Sequence, residues 1–418
     1  MKSKSLLAME MRITPIEIKD EDSARSLMAS LGVSRQGIDI LSSKSVYSVF
    51  KIENIRSWAA NIIKQHMLSL GTDAAIERAA LIKDIRTKAL IFGSKSQLKG
   101  LCRKLSGQPF GLEEVSRELS DCLKNLNKKA FTVKARDKVL KIKKPVICGI
   151  INVTGDSFSG DGLLGPTGGA QAKIIGLGLK QCARMLKDGA RIVDIGAEST
   201  RPGSSSISDR EEISRLAPLL KALRKEFKKA ILSIDTYKYK VAECAVNQGI
   251  DMINDITALR FAPKTADLVH KYKLGCVLMH MKGNPKNMQV KPGYKDVVQE
   301  QLDFFKDRIK FCHSKGIGSQ QILIDPGIGF GKRLEDNTRI IRELRKFKIL
   351  GLPVFLGLSR KTFIGELTGT GTNERFAGTV AANSIAVING ANILRVHDVK
   401  AASQAVKIIS GVMGNIWN

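Results

Sequence analysis

The sequence predicts a (β/α)8 TIM barrel preceded by a smaller α/β N-terminal domain, and three observations carry that expectation. Eight short apolar segments in the C-terminal two thirds each end in a polar residue or cluster. Helical stretches separate them. The chain, at 418 residues, suits a barrel of about 250 residues plus an accessory block. The segments are VICGIIN ending at Asn152, RIVDIGAEST at Thr200, ILSID at Asp235, MIND at Asn254 and Asp255, CVLMH at His280, ILID at Asp325, VFLGLSRK at Lys361 and ILRVHD with Arg395 and His397. In such a barrel the strand C-termini converge on one mouth, so residues as distant as Asn152 and His397 share a pocket. A doubly wound open sheet gives the same βα alternation. Polar residues at nearly every strand end favour closure.

In order, the expected barrel strands are Val146–Val153, Arg191–Gly196, Ile231–Asp235, Asp251–Ile256, Gly275–His280, Gln321–Asp325, Pro353–Leu358 and Asn392–Val396. Helices are expected over Gly169–Lys187, from Asp209, over Lys295–Lys315 and Glu374–Ile388, and from Lys400. Asp209 is followed by Glu211 and Glu212, carboxylates suited to the positive end of a helix. Residues 1–140 form the accessory domain and 141–418 the barrel. In the accessory block, Val46–Ile55 and Ala89–Gly93 read as strands and Ser57–Leu70 and Gly111–Leu126 as amphipathic helices. His66 has no ligand-type neighbour in sequence and reads as structural. The cation-rich stretch Lys124–Lys144 reads as a linker and first approach to the barrel.

Composition narrows the function. The net charge is +28, but the surplus is spread: residues 1–144 hold 28 Lys+Arg against 15 Asp+Glu, and residues 145–418 hold 40 against 25. The Lys124–Lys144 stretch has no interleaved aromatics of the kind that stack bases, so no nucleic-acid partner is expected. No apolar run is long enough for a membrane span. The seven cysteines are scattered, without a C-x-x-C pair, which suits a reducing cytoplasm.

The strand ends divide by chemistry. Asp235, Asn254 and Asp325 are acceptors that need a ligand rich in N–H donors, such as a 2-amino-4-oxo pteridine or a guanine-like ring. Lys361, Arg395 and His397 are potential cations on neighbouring strands, and they repel unless an anion such as phosphate or diphosphate joins them. NVTGDSFSGDG, Asn152–Gly162, reads as a mobile loop bringing Asp156 and Asp161. The loop Glu198–Ser206 brings Thr200 and Arg201, the latter suited to phosphate or carboxylate. DPGIGFGK, Asp325–Lys332, is too weak a glycine pattern to be a nucleotide fingerprint. His280 is expected at the core or rim.

Taken together, NVTGDSFSGDG, DIGAESTRPG, SIDTYK, MINDI, LMHMKGNP, ILIDPGIGFGK, GLSRKTFIG and LRVHDV resemble the dihydropteroate synthase family, from about Val146 to the last helix. The resemblance implies condensation of 6-hydroxymethyl-7,8-dihydropterin diphosphate with 4-aminobenzoate. It implies that Asp235, Asn254 and Asp325 hold the pterin edge, that Lys361 reaches its oxo side, and that Phe330 joins them. Asn152 with Mg2+, Arg395 and His397 would hold the diphosphate, and Thr200 and Arg201 would contact substrate. Phe158, Pro202 and Ser359 look like walls of the aminobenzoate site. Asp156, Asp161, Asp235 and Lys361 are the catalytic candidates. A homodimer is compatible with the resemblance, although no interface is visible in the sequence. Two positions depart from the family pattern: Gly155 replaces its usual proline and Ala197 its second glycine. A pterin-binding methyltransferase is the nearest rival, but it would not need the Ser359–Lys361 and Arg395/His397 groups. A catalytically dead barrel serving as an assembly protein is the rival from another class, and it would not need intact polar strand ends.

Overall fold

The structure is a computed structural model that describes residues 12–18, 20–154, 163, 171–198, 206–284, 287–290 and 292–413. The chain divides into two compact units, Met1–Lys124 and Asn125–Asn418.

The first unit begins with α1 (Glu21–Ser30), held by an Asp20/Ser23 capping box, and α2 (Arg35–Ser42), capped by Ser34. Then follow β1 (Tyr47–Arg56), α3 (Ser57–Ser69), β2 (Asp73–Ile76), β3 (Arg86–Ser94), α4 (Lys95–Leu105) and α5 (Leu112–Leu126). The strands form an antiparallel sheet in the order β1-β3-β2. Alternate residues Thr87, Ala89 and Ile91 of β3 are buried, and Ile91 packs in a core with Ile63 and Met67 of α3 and Leu98 and Leu101 of α4. The sequence signals for β1, α3, β3 and α5 were apolar periodicities. Those for α1, α2, β2 and α4 were not, since these pieces are short or polar and take shape from capping and packing. In α4, for example, Gly100 leaves room for Leu70, whose Cδ2 lies 2.9 Å from where a Cβ would stand. His66 contacts Gln108, Nε2 to Nε2 at 3.1 Å, a polar pair within the fold.

The second unit opens with an antiparallel hairpin, β4 (Phe131–Ala135) and β5 (Lys138–Ile142), joined by a two-residue turn in which Arg136 is left-handed at φ 59. The sequence reading made this stretch a linker and first approach to the barrel, and only the linker part needs correction. Instead Phe131, Val133, Ala135, Leu140 and Ile142 pack against Val146, Cys148, Ile192, Ile231, Met252, Val277, Leu323, Phe355 and Ile393, so that every barrel strand contributes. Its lysines alternate with apolar residues, so the cations that suggested a linker are the exposed face of a buried strand pair. This apolar pairing sets residues 125–142 with the barrel, ahead of the 140/141 boundary expected from composition.

Eight parallel strands follow: β6 (Val146–Asn152), β7 (Ala190–Gly196), β8 (Ile231–Asp235), β9 (Met252–Asp255), β10 (Gly275–Met279), β11 (Ile322–Asp325), β12 (Phe355–Gly357) and β13 (Ile393–Val396). Their order is β11-β10-β9-β8-β7-β6-β13-β12, and a bridge between Ile324 and Val354 joins the two ends. The sheet thus closes as a barrel. The outer helices are α6 (Gln171–Lys187), α7 (Asp209–Glu226), α8 (Tyr239–Asn247), α9 (Thr265–Lys271), α10 (Val297–Ser314), α11 (Leu334–Arg342), α12 (Thr362–Thr368), α13 (Phe376–Ile388) and α14 (Val399–Val412). No helix among the described residues is long and apolar enough to cross a membrane.

Asp251 anchors the lower rim. Its carboxylate is fully buried, accepts from Lys138 and Arg224, each at 2.5 Å, and takes the Leu232 amide at 2.9 Å. Asp251→Ala leaves two cations without their partner, so a loss of about 3–5 kcal/mol is expected. A thermal melt checks it: an unchanged Tm would contradict this role.

Candidate active site

The side-chain period of two along each strand builds the site directly above the hairpin plug. Ile192, Met252, Leu323 and Ile393 point inward at the plug, and two residues further along the same strands stand Asp194, Asn254, Asp325 and Arg395. Asp235 and Asn152 lie four residues beyond Ile231 and Cys148. An apolar floor is therefore overlaid by one polar layer.

Arg395 organises that layer. Its Nε donates to Asp194 Oδ2 and its Nη2 to Asp235 Oδ2, both at 2.6 Å, while Asn254 Nδ2 donates to the same Asp194 oxygen at 3.0 Å. Asp194 is fully buried and its other oxygen, Oδ1, has no hydrogen-bond partner among the described residues. Burial pushes the Asp235 carboxyl up to about 7; Arg395 opposes this and Asp194 adds to it. The two carboxylates in turn hold Arg395 above its ordinary value, outweighing its own burial.

A second pair sits across the barrel. Asp325 Oδ1 accepts the Gly327 amide at 2.8 Å, and burial raises this carboxyl against the pull of Lys361. Lys361 Nζ donates to the Ile328 carbonyl and lies 4.9 Å from the Phe330 ring centroid. Burial lowers its ammonium to about 8, with Asp325 pulling the other way. At the mouth, Asn152 Nδ2 stands 3.4 Å from His397 Nε2, and His397 Nδ1 stands 3.1 Å from Ser359 Oγ.

The barrel mouth carries Asn152, Asp235, Asn254, Asp325, Phe330, Ser359, Lys361, Arg395 and His397, but arranges their charges differently from the sequence expectation. The sequence suggested acids facing cations across a ligand. In the structure Arg395 is turned down onto Asp194 and Asp235, because a buried guanidinium takes the nearest carboxylates. Asp194 was missed. Its signal was a lone acid inside the apolar run RIVDIG, in step with inward-facing Ile192.

Asp156, Phe158, Asp161, Thr200, Arg201 and Pro202 lie outside the described residues, as does Gly155. The flank of the segment holding Thr200 is tied down: Lys238 Nζ donates to the Ile207 carbonyl at 2.6 Å and pairs with Glu212 at 2.8 Å and Glu198 at 3.2 Å. Ala197 is buried, and its methyl joins the apolar core outside the strands. His280 is buried at the rim, its ring 4.9 Å from that of Phe304, and burial holds it well below the usual imidazole range.

The pattern of the pterin binding enzyme family matches residues 148–397. The dihydropteroate synthase of Haemophilus influenzae is 40% identical over 274 residues, 66% of this chain and 96% of that protein. That of Escherichia coli is 38% identical over 279 residues, 67% of this chain and 95% of that protein. A crystal structure of the Yersinia pestis dihydropteroate synthase in complex with a sulfonamide drug superposes with a TM-score of 0.63 at 38% identity, covering 68% of this chain and 99% of that one. The Xanthomonas albilineans enzyme with 4-aminobenzoic acid gives a TM-score of 0.61 at 39% identity, covering 68% of this chain and 99% of that one.

The chain belongs to the dihydropteroate synthase family. It is a transferase of folate biosynthesis. Lys361 and Arg395 both stand at the barrel mouth just described.

Asp235 makes the family cavity sensitive to pH. Its proton is held more tightly in the folded chain than in the unfolded one, so its contribution to stability is full below the ordinary carboxylate value and is lost as pH rises through about 7. Asp235→Asn should flatten this fall between about pH 5 and about pH 8. Tm measured against pH for both proteins checks it; parallel curves would contradict the assignment.

Proposed function

We propose that the barrel joins the methylene carbon of 6-hydroxymethyl-7,8-dihydropterin diphosphate to the amine of 4-aminobenzoate, forming 7,8-dihydropteroate and releasing diphosphate. The observation that carries this reading is the single polar layer over an apolar floor, holding three carboxylates, an amide and two cations. The pterin's amino and ring N–H groups meet Asp325 and Asp235, Asn254 serves as both donor and acceptor, and Lys361 meets the oxo side. Phe330 supplies an apolar wall.

Asp194, Asp235 and Asp325 surround one guanidinium and one ammonium, and while Asp235 is ionised the layer carries one more negative charge than positive. That field stabilises the cationic dihydropterin formed as the carbon–oxygen bond to diphosphate breaks, and fixed charges of this kind act without reorganisation during the reaction. The arylamine lone pair then attacks the exocyclic methylene, and its proton leaves to solvent or to the departing diphosphate. His397, set by Ser359 and Asn152, faces the leaving group, and Nη1 of Arg395, which makes no hydrogen bond among the described residues, adds positive charge below it.

Mg2+ fits the donor chemistry here. Asn152 offers a neutral oxygen, and Mg2+ takes one or two protein oxygens together with water and substrate phosphates. Among the described residues no group of three or more His, Cys, Asp or Glu side chains could cage a metal. Asn152 would hold the ion with the diphosphate, where its charge would ease departure of the leaving group. Asp156 and Asp161 follow Asn152 in the sequence and lie outside the described residues.

Purified protein given both substrates and Mg2+ should form dihydropteroate. No product, with the Haemophilus influenzae enzyme active in parallel, would overturn the reading. Because the Yersinia pestis relative binds a sulfonamide and the Xanthomonas albilineans relative binds 4-aminobenzoic acid, sulfonamide inhibition competitive with 4-aminobenzoate is also expected. Steady-state rates at varied 4-aminobenzoate check it, and noncompetitive inhibition would place the drug elsewhere.

A further inference from the structure

Lys332 is a buried side-chain amine that the reaction does not use, and burial pulls its ammonium well below the ordinary lysine value. It is 4% exposed and, among the described residues, pairs with no carboxylate. Its Nζ reaches the carbonyls of Gly327 at 2.8 Å, Phe330 at 3.0 Å and His280 at 3.2 Å, and His280 Nδ1 at 3.1 Å. An ammonium has three protons to donate and burying it without a counter-charge costs several kcal/mol, so a lysine here needs a return from the groups it binds.

Those groups belong to the loop between β11 and α11. Every carbonyl from Gly327 to Gly331 is taken by a side chain. Lys332 holds Gly327 and Phe330, Lys361 holds Ile328, Gln289 holds Gly329 at 2.6 Å, and the Tyr294 hydroxyl holds Gly331 at 2.8 Å. The backbone does little to hold itself in this shape. Gly327, Gly329 and Gly331 all have φ between 62 and 82, and a Cβ on Gly327 would stand 2.1 Å from the His280 carbonyl oxygen. Three left-handed glycines in five residues form a loop that would sample many conformations unless its carbonyls were bound.

We propose that Lys332 is a positioning residue for the pterin site: by binding two carbonyls from behind, it sets the Phe330 wall and the Ile328 carbonyl that orients Lys361. The proposal rests on the pterin reading above. It places Lys332 behind the loop and Lys361 in front, so the same five residues are clamped from both sides.

Lys332→Met keeps the length and apolar stem but removes every donor. Its KM for the dihydropterin diphosphate should rise at least 10-fold, while its KM for 4-aminobenzoate changes less than about 3-fold, because a charge-assisted hydrogen bond contributes about 1.5–3 kcal/mol. Lys332→Gln, which retains two N–H donors, should recover part of the loss. Equal changes in both KM values, or none, in a folded variant would overturn the proposal. If Lys332→Met does not fold, Tyr294→Phe decides: a several-fold rise in the pterin KM alone supports the clamped loop, and unchanged constants reject it. Inactive wild-type protein would instead reject the pterin reading itself.

Discussion

Arg395→Ala should lower kcat/KM by about 100- to 1000-fold, corresponding to roughly 2.7–4 kcal/mol of lost transition-state stabilisation, and should lower Tm as well. The two effects have different origins. The guanidinium is the one cation that bridges Asp194 and Asp235, each at 2.6 Å, so its removal leaves two like charges facing one another in a buried layer. Breaking such a pair costs about 3–5 kcal/mol, most of it from the uncompensated partners. Asp235, already pushed up to about 7, would then take a proton and lose its use as an acceptor at neutral pH. The double variant Arg395→Ala with Asp235→Asn separates the effects. It should regain a substantial part of the Tm, since the repulsion is gone, but none of the activity. Thermal melts and steady-state rates on the three proteins check this, and a single variant with normal turnover would remove Arg395 from the site.

Lys361→Ala has the second largest expected effect, about 100-fold or more in kcat/KM. Among the described residues Lys361 is the sole side-chain donor to the Ile328 carbonyl, and it stands over Phe330 at 4.9 Å while its charge pulls the Asp325 carboxyl down. Its removal therefore unsettles the wall, the ligand's oxo contact and an acceptor carboxylate together. The ammonium is lowered to about 8, so wild-type activity should decline as pH rises through that value and the charge is lost. Lys361→Arg keeps a cation that does not titrate in this range, and it should move that alkaline limb upward even if its overall rate is lower. Rates measured across the neutral-to-alkaline range decide it: a limb in the same place for both proteins would assign the titration to another group.

Both predictions concern residues that were visible as strand endings. The run ILRVHD announced Arg395 and VFLGLSRK announced Lys361, because an apolar segment that ends in charge is the pattern of a barrel strand opening at the mouth. The observed strands β6 to β13 begin and end within a few residues of the expected ones. Asp194 escaped notice for a related reason. It lies inside a strand rather than at its end, and which side of the strand it faces depends on register with the floor residue Ile192. The hairpin Phe131–Ile142 escaped because its exposed lysines dominated the composition, while the apolar alternation beneath them needed a floor to pack against.

In the first unit the periodic pieces α3 and α5 were legible, whereas α1 and α4 depend on caps at Asp20 and Ser94 that satisfy helix-end amides. Such caps differ little in sequence from ordinary polar turns, so they carry weight only once the packing around them is known.

What the sequence determined by itself is the list of parts: eight apolar runs, their polar endings, and therefore a barrel whose mouth holds acids, amides and cations. Which of those charges face one another was decided only by tertiary structure. Periodicity reports the side of a strand on which a residue lies, but the partner of a buried charge is whichever group the closed ring brings within about 3 Å. That is why Arg395, expected against an anionic ligand, lies on Asp194 and Asp235, and why Lys332, unremarked in DPGIGFGK, holds the loop behind the pterin wall.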